Sequence, residues 1–134
     1  MATDIHIHLE RKSRKTNKYV YDFETDVDRI YALFGALAGV RGPFCLYKQR
    51  GLPKDISPEV LAEYQSWGDD AHTPSWLTIN EFRKCLDLTI MRLSEEYDVK
   101  VVKSWLKSYE GIYEYMQYSE EEGEQSRIVF WFDN

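Results

Sequence analysis

Arg127-Ile-Val-Phe-Trp-Phe-Asp133 is the stretch that decides the fold. Its five consecutive apolar residues leave no polar face. A strand of this kind sits inside a sheet and is covered on both sides. Two segments near the start alternate instead. In Asp4-Ile-His-Ile-His-Leu-Glu10, Ile5, Ile7 and Leu9 face one way, and His6, His8 and Glu10 face the other. That is the period of a half-buried strand. Lys18-Tyr-Val-Tyr-Asp-Phe-Glu24 alternates too, which puts Tyr19, Tyr21 and Phe23 on one face. The basic run Arg11-Lys-Ser-Arg-Lys-Thr-Asn17 between them reads as a hairpin loop.

Helices fill the middle. Thr25 with Asp28 resembles a capping box, and Val27, Ile30, Tyr31, Phe34 and Leu37 form a helical stripe that stops at Gly39. Ser57 caps a second helix, with Pro58 at its first position and Glu59 at its positive end. Val60, Leu61, Tyr64 and Trp67 make its apolar face, and Gly68 ends it. Thr78-Ile-Asn-Glu81 is a full capping box, with Leu77 and Phe82 as the hydrophobic staple. The helix it starts carries Phe82, Leu86, Ile90 and Leu93. From Val99 to Met116 the spacing favours a further helix capped by Asp98, followed by the acidic turn Ser119–Gln125. Residues 67–76 read as a polar loop. The expected fold is α+β in a single domain, 1–134. A small, mostly antiparallel sheet (the N-terminal hairpin plus the C-terminal strand) is packed by three to four helices.

Composition bounds the function. A chain of 134 residues, 43% hydrophobic and 15% aromatic, is globular. No run approaches the roughly 20 apolar residues of a membrane span, and the opening residues lack a signal-peptide pattern. Cys45 and Cys85 fit no metal or disulfide framework, so a reducing cytoplasm is expected. The net charge of −6 divides into +3 for residues 1–50 and −9 for residues 51–134. This balance argues against a nucleic-acid partner and allows two unlike poles to pair in a homo-oligomer.

Three groups of residues can carry chemistry. His6 and His8 share a strand face and can reach one metal ion, with Asp70 and His72 completing the set. The loop Trp67-Gly-Asp-Asp-Ala-His-Thr-Pro-Ser-Trp76 places Asp70, His72 and Ser75 between two indoles, a composition suited to a planar, nucleotide-like ligand. Its plainer use is as a connector with capped ends. Arg11, Lys12, Arg14 and Lys15 can grip phosphates or simply be solvated. No Gly-x-Ser-x-Gly elbow and no Gly-rich phosphate loop is present.

Several segments together resemble a family of small, uncharacterised bacteriophage and prophage proteins. They are Ile5–Glu10, Tyr31–Arg41, Arg50-Gly-Leu-Pro53, Ser57-Pro-Glu-Val60, Trp67–Thr78 and Arg127–Asp133. The resemblance implies a phage origin and a place in the infected bacterial cytoplasm. It carries over no reaction and leaves any cofactor open. The leading expectation is a non-enzymatic binding protein that engages a host protein or sequesters a small phosphate-bearing ligand, in host takeover or anti-defence. A small metal-dependent hydrolase using His6, His8 and His72 is the alternative, and a phage structural or assembly component is the third reading.

Overall fold

In a computed structural model, residues 2–134 are described, and they form four strands and five α-helices. Strand β1 (Asp4–Lys12) turns back into β2 (Tyr19–Thr25). Helices α1 (Tyr31–Ala38) and α2 (Pro58–Trp67) follow, then strand β3 (Ala71–Thr78). Helices α3 (Ile79–Leu93), α4 (Val99–Trp105) and α5 (Lys107–Glu121) lead to β4 (Ser126–Asp133). The sheet order is β2-β1-β4-β3, and every pair is antiparallel.

The apolar run at 128–132 is the inner strand β4, as its pattern requires. Ile128, Phe130 and Phe132 join Ile5, Ile7 and Leu9 in a core roofed by α1, α3, α4 and α5. Val129 and Trp131 point to the other face, where Val60, Tyr64 and Trp67 of α2 cover them. The sheet is therefore the middle of three layers, with one helix alone on one side.

The local signals explain most element ends. Ser57 Oγ accepts from Val60 N at the start of α2. Thr78 and Glu81 form both halves of the capping box of α3. Asp98 accepts from Lys100 N at the start of α4. Gly39 ends α1 with φ 76°, a conformation that glycine adopts without a Cβ penalty.

Four expectations need correction. First, α1 starts at Tyr31 rather than after Thr25, because Thr25 is still paired to Ile7 in the sheet. Second, residues 71–78 are the edge strand β3, not a loop. Thr73 at φ 52° and Pro74 break the alternation at a register shift between His72 and Ser75. Bulges and edges are where a sheet tolerates proline. Third, Tyr19 and Tyr21 do not share a face with Phe23. A bulge in β2 opposite Leu9 and Glu10 pairs Leu9 with Phe23 but Glu10 with Tyr21. Phe23 thus packs edge-on to Tyr115 of α5, while Tyr19 and Tyr21 join the α2 side. Fourth, β1 is not a half-buried strand with its His6–His8 side toward solvent, since α2 roofs that side and leaves His8 only 1% exposed.

The two charge poles meet within the chain. Arg11 pairs with Glu124 at 2.8 Å, and Arg14 N donates to the same carboxylate at 3.0 Å. The basic hairpin and the acidic turn therefore clasp each other.

Candidate functional site

The outward row of β1 organises the chemistry. His6, His8, Glu10 and Lys12 all point to the α2 side, because strand alternation puts every second residue there. The row joins two different environments.

At the His6 end, His8 lies in register with Glu24 of β2. Its ring stacks on Trp131, with centroids 4.4 Å apart and planes 19° apart. Nε2 is 3.5 Å from Glu24 Oε2, and neither ring nitrogen meets a well-aligned hydrogen-bond partner, the Val129 and His6 backbones interacting only weakly with the ring. Glu63 reaches in from α2, and the ligating atoms of His8, Glu24 and Glu63 lie within 4.8 Å of one another. His6 stands beside them against Trp67, with centroids 4.2 Å apart. Its Nε2 meets Asp133 Oδ2 at 2.6 Å, and its Nδ1 faces Glu24 Oε2 at 3.9 Å. A carboxylate only accepts, so Asp133 accepts the hydrogen bond from His6 Nε2–H. Burial, followed by the neighbouring His6, pushes the His8 imidazolium down to about 4, against the opposing pull of the Val129 and His6 backbones. His8 is therefore neutral at pH 7. Burial, and next the charge of Glu63, push the Glu24 carboxyl up.

At the Lys12 end, the polar groups close on one another. Glu10 and Arg127 are both buried, and Arg127 Nε donates to Glu10 Oε1 at 2.7 Å. The other Glu10 oxygen accepts from Ser57 N at 2.8 Å, so this pair also anchors the start of α2. Arg127 Nη1 donates to Asp55 at 2.8 Å, and that bond holds the Asp55 carboxyl below its ordinary range. The Tyr19 ring lies 3.5 Å from the Arg127 guanidinium carbon. Arg50 pairs bidentately with Glu81 and stacks on Trp76 at 4.8 Å. Above this floor is a groove of about 710 Å³ lined by Lys12, Tyr19, Arg50, Lys54, Trp76 and Arg127, among others. Lys12 and Lys54 form no ion pair among the described residues.

The residues expected to act together are thus divided. His6 and His8 are together, but their partners are Glu24 and Glu63. His72 pairs with Phe132 on the opposite face, with ring centroids 6.1 Å apart, and bonds Thr73 Oγ1. A metal set of His6, His8, Asp70 and His72 has no common point, and the hydrolase built on it loses its geometry. The pocket expected between the two indoles does not form either. Trp67 and Asp70 line a small cavity of about 240 Å³ with Asp133 and Asn134, while Trp76 lines the large groove. Ser75 is fully buried and accepts from Arg50 N. Of the basic loop, Lys12 reaches the groove, Arg11 and Arg14 clasp Glu124, and Lys15 is exposed.

Sequence reasoning missed Glu10, Glu24, Glu63 and Arg127. The first was within reach, because the alternation that pairs His6 with His8 continues to Glu10. A lone arginine opening an otherwise apolar strand was a second signal. No family model, no curated protein and no solved structure matches the chain.

Proposed function

We propose that the protein is a non-enzymatic binding protein whose groove takes a small phosphate-bearing ligand with a planar group. The observation that carries this reading is the pair of ammonium groups, Lys12 and Lys54, which form no ion pair among the described residues and line the groove together with the rings of Tyr19 and Trp76. Cations hold phosphate oxygens, and aromatic faces hold a base or similar ring. The volume suits a small molecule rather than a chain. Arg127 and Arg50 are neutralised by Glu10, Asp55 and Glu81, so they shape the groove and leave the lysines to supply net attraction. In a phage protein, such a groove would act by withholding the ligand from its host in the cytoplasm.

Titration calorimetry with ADP and with inorganic pyrophosphate tests the reading. ADP binds, pyrophosphate binds more weakly for want of stacking, and Lys54→Ala weakens both by about tenfold, as loss of a charge-assisted contact should. Absence of heat with either probe at millimolar concentration overturns it.

A further inference from the structure

We propose that His8, Glu24 and Glu63 form a binding site for a divalent transition-metal ion of the Zn²⁺ class, separate from the groove. Two independent observations carry this. One is the gathering of two carboxylates with no Arg or Lys partner among the described residues, Glu24 meeting only His6 and His8. The other is the His8 ring, 1% exposed and without a well-aligned hydrogen bond at either nitrogen, whose Nε2 is aimed at the Glu24 carboxylate. Buried polar groups are nearly always satisfied, so an orphaned imidazole beside two carboxylates points to a cation as the missing partner.

The geometry suits one ion. Ligands around tetrahedral Zn²⁺ at about 2.0–2.2 Å stand roughly 3.4 Å apart. The three donor atoms already lie within 4.8 Å of one another. His8 is the fixed member, held by Trp131 on its face and by its strand register. Glu63 on α2 and Glu24 on β2 are both exposed, so each can shorten the gap by a rotamer change. The charges agree, since two carboxylates and a neutral imidazole offset a dication. One borderline nitrogen with two oxygens selects Zn²⁺ or Mn²⁺ over Ca²⁺ or Mg²⁺. His6 stands beside the set without joining it, its Nε2 held by Asp133 and its Nδ1 3.9 Å from Glu24.

Three protein donors leave one coordination position open to water. The ion also links β1, β2 and α2, so its binding free energy adds directly to the stability of that face.

The test is calorimetric titration of Zn²⁺ into the full chain carrying Cys45→Ser, which removes the exposed thiol as a rival ligand. One Zn²⁺ binds per chain. Glu63→Gln weakens it by at least tenfold while circular dichroism of the metal-free protein stays unchanged, because Glu63 lies on the surface. His8→Phe keeps the ring on Trp131 and weakens Zn²⁺ by a similar factor. His72→Ala, on the opposite face, leaves the affinity as it was. The proposal fails if no saturable binding occurs, if Glu63→Gln binds like the parent, or if His72→Ala costs as much as His8→Phe. None of these outcomes bears on ADP binding in the groove.

Discussion

The two ends of the α2-covered sheet face treat buried polar groups in opposite ways. At the Lys12 end, Glu10, Arg127, Asp55 and the Ser57 amide satisfy one another, and the buried charges are internal parts of the fold. At the His6 end, His8 is as deeply buried but unpartnered, and its neighbours Glu24 and Glu63 carry like charge. The first arrangement is complete within the chain. The second becomes complete only with a cation. Burial alone therefore does not separate a structural polar group from a functional one; what separates them is whether the chain supplies the partner.

The largest test of this contrast is Glu10→Ala. It strands a buried guanidinium and removes the acceptor for Ser57 N, so urea unfolding should show a loss of about 3–5 kcal/mol. Adding Arg127→Met to that variant should restore more than half, since an apolar replacement of both partners removes the uncompensated charge. A smaller effect is expected from pH. Arg50 holds Glu81 at about 2, with the Thr78 cap helping. The folded value lies below the unfolded one, so the stabilisation is fully present above pH 4.5 and is lost as pH falls through 2. Thermal melts across that window should fall less steeply for Glu81→Gln, by about 1–2 kcal/mol after allowance for partial exposure. The smallest effect has the opposite sign. In the metal-free protein, His8→Phe should be neutral or stabilising by about 1 kcal/mol, because it deletes two unsatisfied buried nitrogens and keeps the stacked ring. If His8→Phe instead costs as much as Glu10→Ala, the two ends are alike and the contrast is gone.

Much of the fold was legible because its signals are local. A strand with no polar face announced β4, and the Ser57, Thr78 and Asp98 caps fixed three helix starts. Strand β3 was hidden by Thr73 and Pro74, whose backbone conformations belong to a bulge that only the neighbouring strand justifies. The site was half legible. The period of β1 put His6 and His8 on one face. Their partners depend on longer-range facts: the bulge register of β2 for Glu24, and the orientation of a helix docked on the far side of the sheet for Glu63. His72 was attractive as a third histidine only because nothing local tells which face of an irregular edge strand it occupies.

The position of β4 between β1 and β3 also has a consequence for biosynthesis. The strand that both neighbours need is the last element in chain order, with Asp4 pairing to Asp133. Until residues 126–132 are available, the hairpin and five apolar helix faces have no complete sheet to close on. Productive folding must wait for the final strand. Long-range pairing of this sort is slow and leaves sticky surface exposed in the interval. A chain cut after Gln125 should therefore be protease-sensitive and chaperone-binding, and one that keeps residues 126–134 should be resistant.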